Sequence, residues 1–333
     1  MSHRGGPLAR AAPMRHAWLM NEPTMRAMRQ VVLGGPEVLQ EVEIAKPELG
    51  VSQILVRVHA AGLNPTDWGH RAFPIFLGPP PYTLGWDVSG VVEATGFGVT
   101  LFKPGDEVFG MLPYPHGVGS HAEYVTGPAR AFAAKPKNLD HVQAGALPLA
   151  GLTAWQALND TARLEAGQRV LIHAAAGGVG HLAVQIAKAR GAYVIGTASA
   201  RHHDLVRGLG ADELIDYTTT DFETAVSDVD VVLDTISGDY PARSLRTLRP
   251  GGLLVALLPF PPEVAEEASR LGVRAEIMLV EHDHAGMTAI ADLVADGKLR
   301  PVIAGIFPLA DAAKAHELGE TRHVAGKLVL TMQ

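Results

Sequence analysis

The chain has 333 residues, 47% of them apolar, with a formal net charge of −7 and a pI near 6.1, which suggests roughly two domains. It has no basic tract of the kind that binds nucleic acid and no apolar run of about 18 residues that would span a membrane, so neither partner is expected. The absence of cysteine excludes disulfides, thiolate nucleophiles and cysteine-ligated zinc together, and fits a cytoplasmic enzyme.

Residues 1–24 carry Arg4, Arg10 and Arg15 and no acid before Glu22. Serine is scarce and a secretory apolar core is lacking, so we expect a flexible extension, or an upstream start codon, rather than a leader. Patterned sequence begins at Met25. Up to about Leu139 the chain reads as a largely antiparallel β domain. Ile54–His59 and Val88–Val92 are predicted strands. Lys103-Pro104-Gly105-Asp106 predicts a turn into a strand at Glu107–Gly110.

From about Ala144 the pattern changes. Leu152–Asn159 looks helical. Strands then alternate with helices: strand Val170–His173, helix Val179–Arg190, strand Tyr193–Thr197, helix His202–Leu209 and strand Glu213–Ile215. Further strands are predicted at Asp230–Asp234, Leu253–Leu258 and Val273–Leu279, with Ala242–Leu248 helical. This alternation predicts an α/β, doubly wound parallel sheet. Beyond Asp296 follow a strand near Val302–Phe307, a helix near Ala310–Leu318 and a strand at Lys327–Thr331.

Within this region VLIHAAAGGVG, Val170 to Gly180, is the most telling stretch. An apolar strand that turns on glycines into a helix presents free N–H groups and the positive end of the helix dipole, and both favour a diphosphate. Gly177, Gly178 and Val179 are the candidate contacts, although Ala175 stands where the usual fingerprint has its first glycine. An ordinary strand-to-helix turn is the plainer alternative. In dinucleotide folds a carboxylate about 20 residues on, at the end of the second strand, binds the ribose 2′-hydroxyl of NAD. Here Gly196–Arg201 contains no acid. Ser199 and Arg201 instead suit a 2′-phosphate, so NADPH is the expected cofactor. The alternative is that Arg201 is simply solvated at a helix start.

Eight motifs, in order, carry a resemblance. They are GGPEVL (Gly34–Leu39), GLNPTD (Gly62–Asp67), GWDVSGVV (Gly85–Val92), KPGDEV (Lys103–Val108), LAGLTA (Leu149–Ala154), AAAGGVG, LGAD (Leu209–Asp212) and GKLVL (Gly326–Leu330). The chain resembles the zinc-independent branch of the medium-chain dehydrogenases/reductases, the quinone oxidoreductase-like proteins, from Met25 to the C-terminus. The resemblance implies a GroES-like β domain, a Rossmann domain, an active site in the cleft between them, and a homodimer paired through the edge of the nucleotide-domain sheet. We place an extension at 1–24, a substrate domain at 25–145, a nucleotide domain at 146–285, and a C-terminal return to the substrate domain at 286–333. Zinc-dependent relatives ligate catalytic zinc at three positions that here read Asn64-Pro65, Trp86 and Ala150. No metal is therefore expected. His282 with His284, His202 with His203, and His116 with His121 are taken as chance neighbours, mostly on loops.

The resemblance also implies that Thr153 lies beside the nicotinamide and Tyr217 near the adenosine end, though a partly buried core tyrosine is an equal reading of Tyr217. Leu257 and Leu258, at a strand end, could hold the carboxamide through their backbone. Without zinc the hydride acceptor must bring its own electrophilicity, as quinones and α,β-unsaturated carbonyls do. Asn64 is nominated to hold the carbonyl or the nicotinamide by its amide, and Asp67 is read as a structural acceptor. Some enoyl-thioester reductases of this superfamily donate a proton from a tyrosine shortly after the Asn-Pro segment. Here that stretch reads Trp68 to Phe73, which weakens a thioester reading. His70 is read as an exposed loop histidine and Tyr82 as packing. Trp68, Phe73 and residues around Tyr114 are expected pocket walls. The expectation is an NADPH-dependent reductase of quinones or enones. The alternatives are an enoyl-thioester or polyketide-pathway reductase and a non-catalytic NADPH-binding protein.

Overall fold

The computed structural model describes residues 23–332. The expected N-terminal extension thus falls almost wholly outside the described residues, and the first strand begins at Thr24.

The nucleotide-binding sheet has six parallel strands. In spatial order they are Glu213–Ile215, Tyr193–Thr197, Arg169–Ile172, Val229–Asp234, Leu248–Ala256 and Arg274–Ile277. Alternate side chains of the central strands face opposite layers. Leu171, Ile195, Val232 and Leu254 pack with Phe222 and Val264 on one side, and Val170, Ile172, Val194 and Leu233 join the main core on the other. Both faces being covered explains why these strands read as apolar runs rather than alternating ones. Chain order reverses beside Arg169–Ile172, so a crevice opens at the carboxyl ends of the strands there.

The other large sheet has seven strands and is mostly antiparallel. Gln53–Gly62 pairs with Asp87–Thr95 and Tyr124–Pro128, and Glu107–Met111 and Phe132–Ala134 follow outward. The C-terminal strand Lys327–Thr331 inserts beside Gln53–Gly62 antiparallel, with Ile303–Pro308 parallel on its far side. A third sheet joins Gln40–Ala45, Thr24–Gln30 and Tyr82–Thr83.

Several element bounds differ from expectation. The helix read as Leu152–Asn159 begins at Pro148, where proline suits the first helical position, and ends in a π-turn at Gln156–Thr161. The strand read as Leu253–Leu258 runs Leu248–Ala256, continuing through Pro250-Gly251-Gly252 across a register shift, so Leu257 and Leu258 lie beyond it. Among the described residues no helix is long and apolar enough to cross a membrane.

Candidate active site

The glycine loop forms one wall of the crevice. The strand Arg169–Ile172 leads through Ala174–Val179 into the helix Gly180–Ala189, which no side chain caps at its start. Inside the loop Gly177 donates to Ala174 O at 2.8 Å, and Ala175 donates to Thr197 O at 2.9 Å. A Cβ at Gly180 would sit 2.2 Å from Ala174 O, so the helix can meet the strand only if this residue is glycine. Gly178 differs. A Cβ there would meet nothing nearer than Lys327 Cδ at 3.4 Å and Gly326 O at 3.7 Å. Room beside Gly178, at an uncapped helix start, fits a diphosphate.

The other cofactor candidates gather at the same carboxyl edge. Ser199 and Arg201 follow Tyr193–Thr197, and Tyr217 follows Glu213–Ile215. Arg201 is exposed, and its Nε donates to His202 Nε2 at 3.0 Å. Tyr217 is 48% exposed, which excludes a core role. Leu257 donates its N–H to Asp234 O at 3.0 Å and is half-buried, while Leu258 is exposed. Thr153 is nearly buried, and its hydroxyl donates to Leu149 O of its own helix at 2.7 Å.

The opposite wall holds a buried ionic cluster. Asn64 sits at the N-cap of the helix Pro65–Ala72 and is 2% exposed. Its Nδ2 donates to Asp87 Oδ2 at 2.9 Å, and its Oδ1 accepts from Lys327 Nζ. Lys327 also donates to Leu63 O at 2.7 Å and stands 3.5 Å from Asp87 Oδ2. Asp87 Oδ1 accepts the Leu149 N–H at 2.6 Å. Burial pushes the Asp87 carboxyl up and the Lys327 ammonium down, and the attraction between them opposes both shifts. Gly62 makes room for this cluster, since a Cβ there would lie 2.5 Å from Asp87 Oδ2. The Asn64 amide, nominated to hold a carbonyl, therefore has an Asp–Lys pair as its partners.

Asp67 accepts the Asn64 N–H at 2.7 Å through Oδ2, the structural acceptor role expected of it. Its Oδ1 has no hydrogen-bond partner and lies 4.0 Å from His121 Nε2. Burial pushes this carboxyl up to about 8, against the pull of the Asn64 and Gly85 N–H groups. His121 is fully buried, not on an exposed loop, and burial pushes it down to about 3. His70 is likewise 1% exposed on the helix Pro65–Ala72, and its carbonyl accepts the Tyr82 hydroxyl at 2.8 Å. Phe73, an expected pocket wall, is 65% exposed. His203 and His284 each open a helix and donate to a backbone carbonyl, of Ala198 and Phe132 respectively. Among the described residues no three His, Cys, Asp or Glu side chains come together to hold a metal.

Asp87 and Lys327 lie within the motifs GWDVSGVV and GKLVL, where neither has an expected role. The available signal was a charge at the head of an apolar strand, in DVSGVV and KLVL, where the neighbours must be buried.

Residues 50–137 match the alcohol dehydrogenase GroES-like domain family, and 209–330 match a family described as zinc-binding dehydrogenase. The chain is 36% identical over 331 residues to a 2-haloacrylate reductase of Burkholderia sp, covering 90% of this chain and 97% of that one. It is 38% identical to an Arabidopsis thaliana protein named NADPH-dependent alkenal/one oxidoreductase, chloroplastic, covering 89% and 77%. The structure of the quinone oxidoreductase from Coxiella burnetii superposes with a TM-score of 0.88 at 40% identity, covering 93% of this chain and all of that one. With the GroES-like sheet, the parallel nucleotide sheet and the glycine loop all in place, the chain belongs to the medium-chain dehydrogenase/reductase family, among its quinone oxidoreductase-like members.

Proposed function

We propose that this protein is an NADPH-dependent, zinc-independent reductase of quinones or α,β-unsaturated carbonyls. The carrying observation is the glycine loop, whose uncapped helix start and unclashed Gly178 lie beside the buried Asn64–Asp87–Lys327 cluster. Bound NADPH supplies a hydride. Everything else falls to the chain. Gly178 and Val179 offer backbone N–H groups to the diphosphate, and Gly177, whose own N–H is given to Ala174 O, lets the loop approach it. Arg201 and Ser199 hold the 2′-phosphate, and Tyr217 flanks the adenosine end. Thr153 and the backbone at Leu257 and Leu258 bracket the nicotinamide. Asn64, Asp87 and Leu63 O hold the Lys327 ammonium so that its stem lies against the loop at Gly178. The three zinc-ligand positions bear Asn64, Trp86 and Ala150, none of them a thiolate or imidazole. The acceptor must therefore be electrophilic before it binds.

A turnover panel with NADPH tests this reading. Quinones and enones are expected to react, and saturated alcohols with NADP are not. Arg201→Ala is expected to weaken NADPH binding by roughly ten- to a hundred-fold, the loss of one charge-assisted contact, with little effect on NADH. Good oxidation of simple alcohols, or equal affinity for the two cofactors, contradicts it.

We also propose a cytoplasmic homodimer joined through the exposed edge strand Arg274–Ile277, where Ile277 and nearby Leu279 are each 51% exposed. Light scattering should give twice the 35.2 kDa chain mass, and Ile277→Asp should halve it. A monomeric wild type rules this out.

A further inference from the structure

We propose that the Tyr114 hydroxyl is the proton donor that completes reduction of an α,β-unsaturated carbonyl, oriented for that step by Thr66 and His70. The proposal rests on the reductase reading above and names a residue for the half of the reaction that the cofactor leaves undone.

Tyr114 lies between Pro113 and Pro115, just after the strand Glu107–Met111. Its ring stands edge-on to Trp86 at 5.3 Å and to Phe76 at 6.2 Å. Its hydroxyl is 3.1 Å from Thr66 Oγ1. Thr66 Oγ1 is in turn 3.1 Å from His70 Nδ1, which also lies 2.8 Å from Thr66 O. The Phe76 N–H points at His70 Nε2 from 3.3 Å. That contact makes Nε2 the acceptor and leaves the ring hydrogen on Nδ1, shared between Thr66 O and Oγ1. Thr66 then donates its hydroxyl hydrogen to the phenol oxygen. The phenol's own hydrogen is left to point elsewhere.

The position suits the reaction. Thr66 is two residues beyond Asn64, whose oxygen accepts from Lys327, and Lys327 reaches the open side of Gly178. Contacts and two steps of chain thus link Gly178, Lys327, Asn64, Thr66 and Tyr114 in sequence. Tyr114 is half-buried, within reach of water on one side. Burial raises its ionisation above the ordinary phenol value; the Thr66 hydrogen bond opposes this and Asp67 adds to it. The group stays protonated at neutral pH, as an acid must.

The step balances. Hydride forms a C–H bond at the β-carbon, and the alkene π pair becomes an enolate. The α-carbon takes the phenolic proton, and the O–H bonding pair stays behind as tyrosinate. Water at the exposed side of the ring returns a proton to it. One hydride and one proton are consumed for each saturated carbonyl formed. A quinone differs, because the hydroquinone oxygens left after hydride addition take their proton from water without a placed donor.

The experiment compares wild type, Tyr114→Phe and Thr66→Val on an α-methyl enone and on a quinone, reading kcat, KM and the enantiomeric composition of the reduced ketone. Tyr114→Phe is expected to lower kcat on the enone by roughly ten- to a hundred-fold more than on the quinone, within the range for one general acid. KM should change little. A single product enantiomer in wild type should become a mixture, because bulk water protonates from either face. Thr66→Val should give the same trend at smaller size. Unchanged product stereochemistry with an equal fall on both substrates would mean that Tyr114 only supports the loop, and would overturn the proposal. Wild type that reduces quinones but no enones overturns it while leaving the reductase reading intact. Wild type that reduces neither removes both.

Discussion

In Gly178→Val, calorimetric titration is expected to show NADPH binding weakened more than a hundred-fold while the melting temperature stays within a few degrees of wild type. The reason is that Gly178 alone in its loop has space on the crevice side. Its nearest would-be neighbour, Lys327 Cδ at 3.4 Å, is at ordinary contact distance. A valine there adds two methyl groups on the side of the loop where we place the diphosphate. Gly180→Ala gives the contrast. Its Cβ would meet the Ala174 backbone at 2.2 Å, so the strand and helix must part, at a cost of about 1–3 kcal/mol or more. The two variants separate the glycine that serves the ligand from the one that serves the fold. Wild-type affinity in Gly178→Val would place the diphosphate elsewhere.

The second large effect is acid lability. Burial pushes His121 and His173 down to about 3 and His181 down to about 4. His181 shows why. Its Nδ1 donates to Gly177 O at 2.8 Å, while its Nε2 accepts the Val302 N–H at 3.1 Å, so a second ring proton would face another donor. Each ring is neutral when folded and has an ordinary value of 6.5 when unfolded. Below pH 6.5 the unfolded chain therefore binds protons that the folded one refuses. Through these rings stability falls as pH drops from 6.5 toward 4, while the raised carboxyls of Asp67 and Asp87, which take up protons in the fold first, offset part of the loss. At pH 4.5 each ring weighs about 2–3 kcal/mol against the fold, at about 1.4 kcal/mol per unit. Three together approach the roughly 5–15 kcal/mol of a whole domain. The melting temperature is expected to fall by several degrees between pH 7 and pH 5, since three rings outweigh the carboxyl of Asp67. A flat profile over that interval would show that these rings accept protons in place.

The regular elements were legible because their signals are local. Strand Tyr193–Thr197 and strand Lys327–Thr331 were readable to the residue, and the helix after the loop to within one, since apolar runs and flanking glycines mark them. The cluster behind Asn64 was not legible. Asp87 and Lys327 lie 240 positions apart, and no periodicity announces which charges will meet. The same holds for His70 and His121. A histidine among glycines and prolines looks solvated, and only the tertiary fold buries it. Asn64 stood out through its motif and its amide, but its partners come from two distant strands. Tyr114 drew notice only as a pocket wall, because its tie to Thr66 spans 48 residues.

The insertion of Lys327–Thr331 beside Gln53–Gly62 has a consequence for biosynthesis. The strand Gln53–Gly62 emerges from the ribosome early, yet its neighbour on one edge emerges about 265 residues later. At about 5–20 residues per second that interval is roughly 15–50 s. Throughout it, a long, mostly apolar strand offers unpaired backbone to any other chain nearby. The first domain can therefore close only once Lys327–Thr331 has been made. Production of this protein will depend on whatever shields that edge in the meantime.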